Sequence, residues 1–96
     1  MKLVRDLIPS ILEQPGKAAT FRKANPKEYY DLLLKKLQEE TAEFLESHDA
    51  EEIVDIMEVM YTIAHEKGIT PNRLEELRKQ KAEKRGSFSN RIIYLK

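Results

Sequence analysis

The chain has 96 residues, 41% hydrophobic and 35% charged, with no cysteine and a formal net charge of zero. That is one small domain, too apolar for disorder, with no apolar run near the roughly 20 residues a bilayer span needs. The absence of thiols excludes disulfides and thiolate zinc sites, and overall neutrality argues against non-specific nucleic-acid binding. Asp6 and Pro9 interrupt any apolar signal core, so the expectation is a soluble cytoplasmic protein. So short a chain buries little surface on its own, which favours oligomerisation.

In chain order, Leu3 and Val4 read as extended, and residues 7–14 as a short helix around Pro9. Residues 16–23 show no period and read as a loop. Asn25-Pro26 is an N-cap and N1 pair opening a helix to about Ser47,. Its apolar stripe is Tyr30, Leu33, Leu34, Leu37, Phe44 and Leu45, at helical spacing,. Asp49 with Glu52 reads as a capping box for a second helix, closed by Gly68 after Lys67,. Thr70-Pro71 opens a third, and Gly86 closes it,. Ile92 to Leu95 is a strand candidate,. The expected fold is all-α: an antiparallel helical hairpin plus a third helix, with short extended termini and the bundle completed by homo-oligomerisation.

Charge is sorted along the chain. Residues 1–36 carry eight Lys/Arg against four Asp/Glu, residues 37–66 ten Asp/Glu and no Lys or Arg, and residues 67–96 nine Lys/Arg against three. About three residues, Ser47 to Asp49, join the first two helices, so these should pack antiparallel. Residues with a constant sum of numbers then lie at one height, as do Glu40 with Asp55 and Glu43 with Glu52. Each of these residues also sits three positions from another on its own helix, hence on the same side. Four carboxylates converging from two helices make a cage of hard oxygen ligands, suited to Mg²⁺ or Mn²⁺.

The competing reading is a solvated acidic face, and three features weigh against it. Glu40, Glu43 and Glu46 crowd a helix C-terminus, where the macrodipole disfavours anions,. Residues 53–64 are apolar nearly all round, which predicts a mostly buried helix,. Asp55 and Glu58 on that helix then need a counter-charge, and no Lys or Arg lies within residues 37–66 to supply one. Glu39 falls opposite the apolar stripe, on the solvent side. Glu51 suits a first helical turn. His48 and His65 lack partners at ligand spacing and read as structural or exposed.

Arg78, Lys81 and Arg85 form a basic row on the third helix, where cations also suit a helix C-terminus. Lys36 precedes Glu40 by one turn, at ion-pair spacing,. Lys2 and Arg5 sit in a terminus that would ordinarily fray,. Beside an acidic metal site, these six cations suit a polyanion such as a triphosphate. No Walker A sequence, Gly-rich phosphate loop or Cys nucleophile is present,. The expected chemistry is therefore attack of metal-activated water on phosphorus, with Glu39 or Glu58 as the catalytic carboxylate that orients or deprotonates it.

Glu39-Glu40-Thr41-Ala42-Glu43 followed by Glu52-Ile53-Val54-Asp55 resembles the E-E-x-x-E…E-x-x-D pattern of the all-α nucleoside triphosphate pyrophosphohydrolases, the MazG-like superfamily. The opening Lys2 to Pro9, the Arg85-Gly86-Ser87-Phe88 run and Arg91-Ile92 are similar to its phosphoribosyl-ATP pyrophosphohydrolase-like subgroup. The resemblance implies Mg²⁺-dependent cleavage between the α- and β-phosphates, releasing pyrophosphate and a nucleoside monophosphate in a house-cleaning role. It also implies Glu40, Glu43, Glu52 and Asp55 as metal ligands. Eight residues separate Glu43 from Glu52, a shorter connection than many relatives have. The alternatives are a phosphoribosyl-ATP pyrophosphohydrolase of histidine biosynthesis and a non-catalytic, cation-binding helical module. The expected partners are the nucleotide and further copies of the chain, as a dimer or tetramer.

Overall fold

The computed structural model describes residues 1–12 and 19–96. The described residues hold four helices and no strand: α1 (Ile8–Ile11), α2 (Pro26–Ser47), α3 (Ala50–Glu66) and α4 (Pro71–Arg85). The fold is all-α. None of these helices is long and apolar enough to cross a membrane.

Local chemistry explains the ends of the helices. Asn25 caps α2 in a full capping box: its side chain accepts from the Glu28 N–H at 2.9 Å, and the Asn25 N–H donates to Glu28 Oε1 at 3.1 Å,. Arg22 pairs with the same carboxylate, and these hydrogen bonds hold Glu28 down at a pKa of about 2. His48 ends α2 in the left-handed region at φ 56°, its N–H bonded to Phe44 O. With Asp49 it makes a two-residue link into α3. At the far end of α3 the Gly68 N–H bonds to His65 O and the Ile69 N–H to Ala64 O, both at 2.9 Å. This Schellman closure needs a left-handed residue, and Gly68 supplies it at φ +77°,. Thr70 caps α4 through Oγ1 to the Arg73 N–H,.

α2 and α3 make the principal helix contact, and α3 touches α4 less extensively. Leu33 from α2 is 2% exposed and packs with Val59 and Ile63 of α3, with Leu3, Tyr29, Tyr30 and Leu37 around them. Leu32 and Ala64 are the other buried apolar residues among those described. Burial of a side chain of this size stabilises by about 1.5–3 kcal/mol. Leu33 opposite Ile63, and Lys67 Nζ 5.5 Å from the Tyr30 ring centre, show the two helices antiparallel.

Four expectations fail. Residues 91–96 are neither helix nor strand, because no described segment offers them a ladder to join. The Asp49–Glu52 capping box is half made: Asp49 accepts from the Glu51 N–H at 3.3 Å, while Glu52 lies in the carboxylate cluster described below. The α2 stripe is cut at its edges, with Leu34 and Leu45 exposed. Most tellingly, α3 is not mostly buried: Ile53, Val54, Met57, Met60 and Tyr61 are exposed, Val54 to 60%. α2 covers one stripe of this helix and α4 touches it only slightly, so the rest of a surface that is apolar all round stays bare,. The short helix expected over 7–14 appears as α1, with residues 13 and 14 outside the described residues, as are 16–18 of the expected loop.

Dimensions agree with this thin cover. The radius of gyration is 17.4 Å, against about 12.5 Å for a compact domain of this length.

Candidate functional site

Antiparallel packing brings Glu40 of α2 against Glu52 and Asp55 of α3, one carboxylate oxygen from each lying within 4.8 Å of the others. Glu40 is the one buried charged residue among those described, at 7% exposure. Lys36, one turn earlier, reaches Glu40 Oε1 at 3.2 Å. Glu40 Oε2 and Glu52 Oε2 are buried with no hydrogen-bond partner. Such orphaned oxygens are expensive unless something else satisfies them.

Electrostatics single out Glu52. Burial pushes its pKa up to about 7, and the charges of Glu43, Asp55 and Glu40 add to the effect,. Glu43 is exposed and outside the group of three oxygens, yet its charge acts on Glu52.

The counter-charges come from outside the acidic run, which corrects the expectation that none was at hand. Arg5 Nη2 donates to Asp55 Oδ1 at 2.6 Å, and Arg5 Nη1 lies 4.0 Å from Glu58 Oε1. Lys2 Nζ reaches Glu39 Oε1 at 3.2 Å, and Lys36 Nζ reaches Glu39 Oε2 at 3.2 Å. The N-terminal segment is thus pinned where fraying was expected. Glu39 lies on the solvent side as expected but is partly covered by the two lysines that hold it. Their hydrogen bonds and charges, those of Lys36 first, hold its carboxyl below the usual range.

Residues 3–8, Lys36, Glu40, Asp55 and Glu58 contribute to the walls of an open cavity of about 550 Å³. No residue of α4 lines it. Arg78 is engaged with Glu75 on its own helix, Nη2 to Oε1 at 2.6 Å, while Lys81 and Arg85 are exposed. His48 and His65 are exposed, and Glu51 is an exposed residue of the first turn of α3.

No protein-family model, curated protein or solved structure matches this chain. The hard-oxygen donor set fits a divalent cation: three carboxylates from two rigid helices, with two buried oxygens lacking any protein partner,. Sequence reasoning missed the roles of Lys2 and Arg5 as counter-ions, because their partners lie 37 and 50 positions away. The only signal for them in the sequence is the basic balance of residues 1–36.

Proposed function

We propose that the chain is a Mg²⁺-dependent nucleoside triphosphate pyrophosphohydrolase of the MazG-like kind, with Mn²⁺ as a substitute. The observation that carries this reading is the buried Glu40 carboxylate, one oxygen of which has no hydrogen-bond partner, clustered with those of Glu52 and Asp55. Glu40, Glu52 and Asp55 would hold the cation, with Glu43 beside them. When bound, the ion supplies Lewis-acid activation of water and neutralises phosphate charge.

The chain's own residues divide the remaining work. Lys36 orients Glu40 and Glu39 together. Glu39, with both oxygens held by lysine and its pKa lowered, is a poor proton acceptor. Glu58, more than half exposed and loosely held by Arg5, is the better base for the attacking water. Arg5, Lys2 and Lys36 are the cations nearest the carboxylates and serve the phosphates of the substrate. Since α4 does not line the cavity, Arg78, Lys81 and Arg85 serve it only from a second copy of the chain. The exposed apolar residues of α3 support that assembly,. Sedimentation of the wild type against Val54→Glu tests it; equal masses would count against it.

Nucleotide turnover with and without Mg²⁺, assaying pyrophosphate separately from orthophosphate, tests the activity. Pyrophosphate with a monophosphate is expected, and a panel that includes phosphoribosyl-ATP separates house-cleaning from biosynthesis. Mainly orthophosphate release would remove the α–β cleavage. A second reading, the non-catalytic cation-binding module, is favoured by the completeness of the Lys2, Arg5 and Lys36 pairs. Metal held tightly without any turnover would establish it.

A further inference from the structure

The N-terminal segment lies over the site on one apolar anchor and two ionic ones. Leu3 packs on the core formed by Leu33, Val59 and Ile63. Lys2 meets Glu39, and Arg5 meets Asp55 and Glu58. The side chains of Lys2 and Arg5 are 66% and 51% exposed, so water can replace either pair at little cost. Arg5 also lines the cavity, between the segment and the acidic helices.

Asp55 therefore has two competing partners. One is the guanidinium of Arg5 at 2.6 Å. The other is whatever satisfies the cluster that Asp55 forms with Glu40 and Glu52, two carboxylates whose Oε2 atoms are buried without a hydrogen-bond partner. We propose that Arg5 is an exchangeable counter-ion: it ties residues 1–7 to Asp55 in the metal-free chain and leaves Asp55 when a divalent cation is bound, opening the cavity that the segment covers. This rests on the metal-binding reading of Glu40, Glu52 and Asp55.

The cause is like-charge repulsion. A guanidinium in hydrogen-bond contact with a carboxylate faces the field of a doubly charged ion held by the same group, at a separation well inside the Debye length. Lys2 is spared, because Glu39 is not one of the three clustered carboxylates. Leu3 keeps its place on the core, so the segment loosens at Arg5 without detaching. Linkage makes the effect reciprocal: the factor by which the cation weakens the Arg5 contact is the factor by which Arg5 weakens cation binding.

The probe is Mn²⁺ alone, its affinity measured by titration calorimetry and by the paramagnetic resonance of free Mn²⁺. Arg5→Gln should bind Mn²⁺ about tenfold more tightly than the wild type. Lys2→Gln should stay within about twofold, since the same coupling is absent there. Equal affinities for wild type and Arg5→Gln would overturn the exchange and leave the metal site standing. No Mn²⁺ bound by either protein would overturn the metal site and the exchange with it. Side-chain NMR of Arg5 in the wild-type chain guards against a variant that fails to fold. During a titration with diamagnetic Mg²⁺ the guanidinium resonance should move to that of a free arginine, with the dissociation constant that calorimetry gives for Mg²⁺. A resonance unmoved at saturation overturns the proposal.

Discussion

α2 with α3, and α4 with the segment after it, are built on opposite terms. The first pair holds every buried residue described, apolar or charged. α4 buries none, and Phe88, Ile92, Ile93, Tyr94 and Leu95 beyond it are almost fully exposed, Phe88 to 97%. Yet α4 has sound end signals, Thr70 and Pro71 at the start and Gly86 at the close. Good caps make a helix without making a core. Only α2 and α3 carry apolar stripes that match each other, and the carboxylate cluster sits where that match brings two acidic helices together.

The sharpest way to break this comparison is in the core. Leu33→Ala should cost about 2–5 kcal/mol in urea unfolding, whereas Leu77→Ala on α4 should cost under about 1 kcal/mol. A Leu77 penalty as large as that of Leu33 would mean that α4 is covered by a partner. Next in size is Glu40→Gln. It should weaken Mn²⁺ binding by about 10–100-fold or more, while Arg85→Ala leaves Mn²⁺ affinity unchanged and raises only the KM for nucleotide. Equal losses of metal affinity would dissolve the distinction between acidic site and basic helix.

A smaller effect lies in pH. Glu52 has a folded pKa of about 7 in the metal-free chain, above the unfolded carboxyl value of about 4.3. The folded state binds this proton more tightly, so the contribution is full below about pH 4.3 and is lost as pH rises through about 7,. In EDTA, Glu52→Gln should therefore melt near the wild type at acid pH and above it at pH values of about 8. A variant that melts lower throughout would make Glu52 a structural acceptor.

The smallest effect is at the α2 cap, where the sign reverses. Glu28 has a folded pKa of about 2, below its unfolded value, so its contribution is present above about pH 4.3 and lost as pH falls through about 2,. Arg22→Ala should lower the melting temperature slightly at neutral pH, and the difference should vanish in strong acid. A constant difference across the range would assign the loss to packing, not charge.

Helix ends were legible because caps are local. Asn25, Gly68, Thr70 and Gly86 each act within a few residues, through backbone groups that no distant contact needs to supply. The acidic cluster was legible for a related reason: once the link is two residues long, helical spacing alone places Glu40 near Asp55. What no spacing could reveal was the origin of the counter-charges. Residues 37–66 hold no Lys or Arg, which pointed to a metal by elimination, but Arg5 reaches Asp55 from 50 positions away.

The sequence by itself determined that this is a helical chain, where three of its helices begin and end, and which carboxylates share a height. Those properties follow from short-range hydrogen bonding and from the 3.6-residue period. Only the tertiary structure decided that Glu40 alone of the acidic set is buried, that Glu39 is clasped by two lysines, and that α3 keeps half of its apolar girdle exposed. Burial and ion pairing depend on which surfaces meet. Hydrophobic pattern states how much of a helix could be covered, and packing geometry states how much is.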